Sequence, residues 1–289
     1  MKQTKNTELL TQKNIAGIVL KPDAKYLKDI FPQIKKQFEK YGISVLLEES
    51  SANMIDEKDY LSFDKLCEQS DFLVTIGGDG TLISVSRRGF GYNKAVLGIN
   101  LGTLGFLTSV LPQELEQFLI DFQNDNYVID ERMVIKANIN FKQSVAFNDI
   151  VITRKSVANM VNIDAYVDGE KFNSYYGDGL VVSTPTGSTA YNLSSGGPVV
   201  YPLTEAFIVT PISAHSLTQR PLVLPTDFEI ELSTPDKEGA MVIIDGQDIY
   251  EIGQDEFIKI NIASSKAKLI RTKHRDYFQV LNQKLNWGK

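Results

Sequence analysis

The sequence predicts an α/β protein made of an N-terminal α/β domain with a mostly parallel sheet and a C-terminal β-rich, sandwich-like domain. Two observations lead to this. In residues 1–126, short apolar runs alternate with stretches of helical apolar spacing, which is typical of parallel βαβ units covered on both faces. In residues 127–271, short strand-like runs follow one another with little helix, as in antiparallel sheets. The tail, 272–289, is again weakly helical, and we expect it to pack back on the first domain.

Apolar spacing places the elements of the first domain in order. The predicted strands are 15–20, 43–47, 72–76 and 95–99. The predicted helices are 24–41, 63–69, a helix after the third strand to about residue 89, and 112–124. The segment 48–60 is polar and is predicted to be a loop. Because ligands of parallel α/β sheets bind at the carboxyl ends of the strands, we expect a site where the third strand ends, at Asp79.

The second domain is predicted from alternation and turn residues. Asp168-Gly169 lies between two strand-like runs and suits the tight turn of a β-hairpin. Asp245-Gly246-Gln247 also resembles a hairpin turn. One short helix is expected at 190–195. The predicted strands are 128–141 in alternating stretches, 145–154, 163–167, 170–172, 180–182, 207–209, 228–232, 241–244 and 257–262.

Composition excludes several classes of protein. The formal net charge is −6, which disfavours a general role in binding nucleic acid or anionic membranes. No apolar run approaches the ~18 residues of a membrane span, and the polar N-terminus lacks the apolar stretch of a secretory signal. The single cysteine, Cys67, is predicted to be a core residue and excludes an intrachain disulfide. We expect a cytoplasmic protein.

The strand 72–76 runs into Gly77-Gly78-Asp79-Gly80-Thr81 and then a helical pattern. Glycines allow a sharp turn and close approach of a ligand, and the N–H groups of the following helix start suit phosphate. The spacing matches neither a Walker loop nor a dinucleotide fingerprint. Asp79 would repel phosphate, so we expect it to bind a metal, hydrogen-bond a hydroxyl or accept a proton.

Further segments carry candidate chemistry. Asn148-Asp149 suits either the vicinal hydroxyls of a ribose or a simple turn. The run 184–191, Thr-Pro-Thr-Gly-Ser-Thr-Ala-Tyr, concentrates hydroxyls at a strand-to-helix junction, where a second set of helix N–H donors is expected. It follows Gly177-Asp178-Gly179 and precedes Gly196-Gly197-Pro198. Of the two histidines, we expect His215 to be a hydrogen-bonded structural residue and His274 to be a solvated surface residue. The absence of a Cys/His cluster from the sequence argues against a zinc-type site.

Together these motifs resemble the ATP-dependent NAD kinase family (inorganic polyphosphate/ATP-NAD kinase). Their order and spacing match across most of the chain, as do the segments 101–107 and 211–221. Gly-Gly-Asp-Gly-Thr alone is shared with diacylglycerol kinases and, approximately, with phosphofructokinases. The run 184–191 is far more specific and decides the match.

The resemblance implies transfer of the γ-phosphoryl of ATP to the 2′-hydroxyl of the adenosine ribose of NAD, giving NADP, at a site between two domains. It implies a divalent cation, magnesium or manganese, held mainly by the triphosphate, so no residue is assigned as a metal ligand. Because the glycine turn has no lysine, we expect the metal to carry much of the neutralisation. Homodimers or homotetramers are implied, with neighbouring subunits contributing to the NAD site.

The resemblance also implies residue roles. Asp79 would accept the proton of the 2′-hydroxyl, Phe106 would pack on adenine, and Asn148 with Asp149 would hold the nicotinamide-side ribose. The implied phosphate-binding residues for ATP are Gly77, Gly78, Gly80 and Thr81. The implied NAD-binding residues are Asp79, Gly80, Phe106, Asn148, Asp149, Asp178, Thr189, Ala190, Tyr191, Ser194 and Gln247.

The chain departs from the family pattern at three positions. Asp149 stands where glutamate is common, Tyr176 where a basic residue is common, and Ala214 where proline is usual. Two alternative functions are a lipid or sugar kinase sharing the glycine turn, and a non-catalytic NAD-binding sensor. The run 184–191 argues against the first, and the intact Asp79 argues against the second.

Overall fold

The computed structural model describes residues 9–102, 105–156 and 159–286. Among these residues it has seven α-helices and eighteen β-strands. The helices are α1 Leu27–Lys40, α2 Glu49–Ile55, α3 Phe63–Gln69, α4 Asp79–Arg88, α5 Leu115–Gln123, α6 Tyr191–Ser194 and α7 Tyr277–Leu285. The first nine strands are β1 Ile15–Leu20, β2 Ser44–Leu47, β3 Phe72–Gly77, β4 Ala95–Asn100, β5 Tyr127–Arg132, β6 Ile135–Ile139, β7 Lys142–Ala146, β8 Asp149–Thr153 and β9 Val161–Val167. The others are β10 Glu170–Gly177, β11 Gly179–Ser183, β12 Phe207–Ile212, β13 Leu222–Leu224, β14 Ile230–Ser233, β15 Ala240–Ile244, β16 Asp248–Ile252, β17 Ile258–Ile262 and β18 Ala267–Thr272.

The chain forms two compact units, one reaching Glu131 and resuming at Ala267, the other spanning Arg132–Lys266. The first unit has a six-stranded sheet in the order β2-β1-β3-β4-β18-β5. The pairs β1–β2, β1–β3, β3–β4 and β4–β18 are parallel. Because β5 and β18 belong to this sheet, the unit extends a few residues beyond the predicted bounds of 126 and 272 on both sides.

The helices of the first unit bury the apolar faces that the spacing predicts. Helix α1 buries Leu27, Phe31, Ile34 and Phe38, and the tail helix α7 buries Tyr277, Val280 and Leu281. In both helices the buried residues form one apolar stripe along the helix, and this stripe packs into the core. Strand β3 is buried at every position, as expected for a central parallel strand.

The prediction of a loop over 48–60 is wrong, because the segment contains α2. The Glu48 side chain accepts a hydrogen bond from the Ser51 N–H and so caps the helix, satisfying a donor that would otherwise lack a partner. Ala52 and Ile55 are buried on its inner face. The segment is polar apart from these few apolar residues. That is too few for a helical apolar spacing to be recognised in the sequence.

The second unit has two six-stranded sheets, β10-β9-β14-β17-β6-β7 and β13-β12-β11-β8-β15-β16. Their strand pairs are antiparallel, and apolar residues of both sheets form one core cluster. This is the predicted sandwich-like fold. The hairpin at Asp168-Gly169 is confirmed, with φ of 51° and 82° at its two turn residues, the left-handed pair that such a turn requires.

Two predicted strand boundaries in this unit are wrong. The run 145–154 is not one strand, since β7 lies in one sheet and β8 in the other, with Phe147-Asn148 crossing between them. Asn148 therefore lies in this connection, and Asp149 is the first residue of β8. The predicted strand 170–172 is too short, because β10 continues to Gly177, and Asp178 is the single residue before β11 in the other sheet. The strands β13, β16 and β18 were not predicted.

The buried Cys67 is confirmed as a core residue. His274 is on the surface as predicted, with its imidazole 67% exposed and 3.4 Å from Asp121. No helix in the described ranges is both long and apolar enough to span a bilayer.

Candidate active site

The glycine turn is built as a strand–turn–helix junction. Gly77 ends β3, Gly78 is extended and caps α4, and α4 begins at Asp79. A Cβ on Gly77 would lie 2.6 Å from the Thr81 hydroxyl oxygen, so this position has no room for a side chain. Gly78 and Gly80 would meet no atom within 4 Å, which leaves open space over the turn. This open side is where a ligand can approach the backbone.

The Asp79 carboxylate is held by the loop that follows β4. Its Oδ2 accepts the N–H of Phe106 at 2.7 Å. Its Oδ1 accepts the N–H of Leu107 at 3.2 Å, the N–H of Thr108 at 2.9 Å and the Thr108 hydroxyl at 2.9 Å. An ionised carboxylate has about four acceptor positions on its two oxygens. In the described residues Oδ2 accepts one hydrogen bond, so it retains the capacity to accept another from a ligand hydroxyl.

Gly105 allows this arrangement. A Cβ there would lie 2.0 Å from Oδ1 of Asp79 and 2.4 Å from its Cγ. Asn100, at the end of β4, completes the support, because its amide donates to the Thr108 hydroxyl at 3.0 Å and its oxygen accepts the Gly102 N–H at 3.1 Å. Thr103 and Leu104 of the predicted motif lie outside the described residues.

A cavity of about 640 Å³ lies beside the turn, and Gly77, Gly78 and Asp79 line it. Lys21 and Lys284 line it as well. Sequence reasoning assigned neither lysine, because one follows β1 and the other lies near the end of α7, far from any motif. Phe106 is half-buried, and its packing on adenine stays a prediction.

In the second unit, Asp245 organises the segment that carries Asn148 and Asp149. Its carboxylate accepts the N–H groups of Phe147, Asn148 and Asp149 at 2.8, 2.7 and 2.9 Å. In return the Asp245 N–H donates to the Asp149 carbonyl at 3.0 Å. The predicted hairpin turn between β15 and β16 is therefore present, and its aspartate also fixes the start of β8. The sequence alone does not predict this role, because no pattern near Asp245 indicates a contact with residues about a hundred positions away in the chain.

Asp149 is almost completely buried, with 4% of its surface exposed. Burial is the larger cause that raises the pKa of Asp149 to about 7, and the negative charge of Asp245 is the smaller one. Both disfavour the ionised form of the carboxyl group. At neutral pH this carboxyl is therefore present both protonated and ionised. It can donate a hydrogen bond to a ribose oxygen in one form and accept one from a hydroxyl in the other.

The run 184–191 packs directly on Asn148. The Thr184 N–H donates to the Asn148 carbonyl and the Thr184 hydroxyl to the Phe147 carbonyl, both at 2.8 Å. A Cβ on Gly187 would lie 2.2 Å from the same Asn148 carbonyl oxygen. A 3₁₀ turn over Thr186–Thr189 leads into α6.

The predicted ligand residues of this segment lie on its accessible side. Thr189 and Ala190 are half-buried, whereas Tyr191 and Ser194 are exposed. The neighbouring Asn192 is fully buried and donates to the Ser188 and Pro198 carbonyls. The buried amide thus anchors the turn, and the accessible side chains are presented outward.

The structure does not bring every predicted site residue together. Asp178 lies before β11 and Thr184 after it, at opposite ends of a strand whose length is on the order of 15 Å. Asp178 instead pairs with Arg154 at 3.1 Å. Gln247 is exposed in the Asp245 turn, close in sequence to the residue that fixes Asn148.

The structural role expected of His215 stays a prediction. Its backbone N–H donates to the Tyr176 carbonyl at 2.8 Å, and its ring centroid lies 5.7 Å from that of Tyr176. No three His, Cys, Asp or Glu side chains of the described ranges come together as a metal-binding group.

The first unit has an open glycine turn beside a carboxylate held by hydrogen bonds, and the second unit has a hydroxyl-rich turn. These features are typical of a nucleotide-dependent phosphotransferase. Residues 16–127 match the ATP-NAD kinase N-terminal domain, and residues 147–272 match the ATP-NAD kinase C-terminal domain. The chain belongs to the NAD kinase family.

Curated relatives cover nearly the whole chain. The NAD kinase of Sulfurimonas denitrificans is 48% identical over 94% of this chain and 97% of that protein. The NAD kinase of Wolinella succinogenes is 46% identical over 94% of this chain and 95% of that protein. These similarities support the NAD kinase interpretation over the lipid kinase, sugar kinase and sensor alternatives.

Solved structures share the fold. The structure of an NAD kinase from Archaeoglobus fulgidus in complex with ATP aligns with a TM-score of 0.77 at 26% identity, covering 94% of this chain and 98% of that one. Yeast NADH kinase complexed with NADH aligns with a TM-score of 0.85 at 24% identity, covering 96% of this chain and 88% of that one. The predicted fold class is thereby confirmed.

Proposed function

We propose that this chain transfers the γ-phosphoryl of ATP to the 2′-hydroxyl of the adenosine ribose of NAD, giving NADP. The observation that carries the proposal is the Asp79 carboxylate. It lies at the carboxyl end of β3, lines the cavity beside the glycine turn and keeps an acceptor position on Oδ2. A carboxylate held in place at such a cavity suits removal of a proton from a hydroxyl next to a phosphate chain.

The proposed mechanism assigns proton transfer to Oδ2 of Asp79. A ribose hydroxyl is a poor nucleophile near neutral pH, and a base within hydrogen-bond reach typically contributes about 10²–10⁴-fold. The remaining catalysis of phosphoryl transfer is positioning and charge stabilisation. Gly77, Gly78, Gly80 and Thr81 would hold the phosphates of ATP through backbone N–H groups and a hydroxyl.

Each unit carries proposed NAD contacts of its own. Asp79, Gly80 and Phe106 belong to the first unit. The residues proposed from the second are Asn148, Asp149, Asp178, Thr189, Ala190, Tyr191, Ser194 and Gln247. Support comes from the packing of the run 184–191 on Asn148 and from the outward-facing side chains of that run.

A divalent cation, magnesium or manganese, would be bound by triphosphate oxygens and would supply charge neutralisation there. We also propose a cytoplasmic homodimer or homotetramer. Asp178 is separated from Thr184 by the length of β11, so a role for Asp178 in NAD binding is best met at the site of a neighbouring copy.

The test of the function is formation of NADP from NAD, ATP and magnesium, repeated with polyphosphate as donor and with NADH as acceptor. No phosphorylated dinucleotide under any of these conditions would exclude the proposal. Asp79→Asn should lower kcat by about 10²–10⁴-fold with a much smaller change in NAD affinity. Asp227→Asn, the same substitution at an exposed position, is the matched control, and unchanged turnover in Asp79→Asn would refute the role of the base.

A further inference from the structure

The cavity beside the glycine turn contains positive charge that the turn itself lacks. In the described residues its lining has three side chains that are charged at neutral pH: Lys21, Lys284 and Asp79. Two ammonium groups and one carboxylate give the lining a net positive charge. A phosphate chain seated on the open turn would therefore meet donors that are charged as well as backbone N–H groups, and charge-assisted hydrogen bonds are the stronger kind.

Lys21 is placed beside the turn by the sheet. Strand β1 lies next to β3 with Leu20 paired to Ile76, and the Lys21 N–H donates to the Ile76 carbonyl at 2.9 Å. A Cβ on Gly77 would lie 3.0 Å from the Cβ of Lys21. The lysine thus begins directly beside the first glycine of the turn, on the neighbouring strand end.

Lys284 reaches the cavity from the tail helix α7. It follows the buried Val280 and Leu281 by four and three residues, so it begins next to the packed face of the helix, and its own side chain is exposed. The helix is fixed at its start by the Asp276 side chain, which accepts the Phe278 N–H at 3.3 Å. The position of Lys284 is therefore set by a packed helix, not by a free chain end.

We propose that Lys21 and Lys284 bind the phosphate chain of the phosphoryl donor, so that the C-terminal helix is part of the donor site. The inference rests on the proposed function and adds two residues to it. Lysine acts on phosphate as a point charge, and two such charges beside the turn supply neutralisation that a Walker loop supplies with its own lysine. ATP and inorganic polyphosphate share this chemistry, so both are used as donors in the test.

The first measurement is steady-state NADP formation by four variants. They are Lys21→Ala, Lys284→Ala, Lys21→Arg and Lys284→Arg. We expect each alanine variant to raise the KM for ATP on the order of tenfold, the size expected for loss of one hydrogen bond to a charged group. The KM for NAD should change less than about twofold, and arginine should restore most of the loss since it keeps the charge. The matched controls are Lys25→Ala and Lys273→Ala, exposed lysines of the same unit that do not line the cavity.

The second measurement is calorimetric binding of ATP and of tripolyphosphate to wild-type protein and the same variants, which does not depend on turnover. Weaker binding of both ligands by the alanine variants, with melting temperatures equal to those of the controls, supports the proposal. Loss for ATP alone would assign the lysines to the nucleoside and overturn it. Unchanged binding, or a KM for NAD that rises as much as that for ATP, would also overturn it. Absence of NADP from the wild type would instead reject the proposed function while the binding result still decides the role of the lysines.

Discussion

Replacing Gly105 by alanine should displace the carboxylate of Asp79, the proposed base, while leaving Asp79 itself unchanged. The new methyl carbon would lie 2.0 Å from Oδ1 and 2.4 Å from Cγ of Asp79, far inside the ~3.5–4.0 Å at which carbon atoms attract. The Asp79 carboxylate is the movable partner, so it must turn away or the loop must shift. Either response breaks hydrogen bonds to the loop N–H groups of residues 106–108.

The size of the effect follows from those hydrogen bonds. Asp79 accepts four of them, at 2.7 to 3.2 Å, and a hydrogen bond to a charged group contributes about 1.5–3 kcal/mol. Loss of one or two should lower the free energy of unfolding by about 1.5–6 kcal/mol, because the value per bond already includes the exchange with water. A shift of the base by about 1 Å costs on the order of 10²-fold in rate, so we expect kcat to fall by at least that factor.

The assay is NADP formation at saturating ATP and NAD, paired with thermal denaturation. The matched control is Gly91→Ala, because a Cβ on Gly91 would meet no heavy atom within 4 Å. The control should keep wild-type turnover and melting temperature. If Gly105→Ala kept turnover within about threefold of Gly91→Ala, the loop would not be positioning Asp79 as the geometry indicates, and the reasoning would fail.

Two further predictions concern the second unit. The pKa of Asp149 is raised from 3.8 to about 7, so its contribution to stability is complete below pH ~4 and is lost as pH rises through about 7. Asp149→Asn cannot ionise, and its melting temperature should fall less between pH 5 and pH 8 than that of the wild type; equal declines would contradict the raised pKa. Asp245→Ala removes the acceptor of three N–H groups at 2.7 to 2.9 Å, so the melting temperature should fall and the KM for NAD rise on the order of tenfold. The KM for ATP should stay constant, and an unchanged KM for NAD, as expected of the exposed control Asp227→Ala, would show that Asp245 does not position the NAD segment.

The parts of the fold that the sequence predicts are those with strong local signals. Strand β3 and the turn after it are recognisable because a buried run ends in glycines and a helix start. The hairpin at Asp168-Gly169 is recognisable because its backbone needs two left-handed residues in succession. Both depend on neighbours in the chain, and one sequence is enough to identify them.

The parts that could not be predicted depend on distant partners. Strand β18 inserts between β4 and β5, although more than a hundred residues separate it from either in sequence. The cavity lysine Lys284 depends on where α7 packs, and the breaking of 145–154 into two strands depends on Asp245. No local sequence pattern predicts these contacts, because each one forms only when distant parts of the chain pack together.

The two aspartates that matter most share one construction. Asp79 accepts the backbone N–H groups of residues 106, 107 and 108, and Asp245 accepts those of residues 147, 148 and 149. In each case a carboxylate fixes three consecutive N–H groups of a distant loop. The sequence suggested a ligand contact for one and a hairpin turn for the other, and the structure gives both the additional task of holding a loop.

This double task decides how the role of Asp79 should be tested. In Asp79→Asn the amide oxygen can occupy the Oδ1 position and keep three of the four hydrogen bonds, while the amide nitrogen faces the Phe106 N–H and cannot accept a proton. In Asp79→Ala all four are lost. If Asp79 acts as the base, the two variants should lose kcat to a similar extent, whereas the alanine variant should have the clearly lower melting temperature. If holding the loop is its whole role, turnover should follow stability, and the asparagine variant should stay close to the wild type in both.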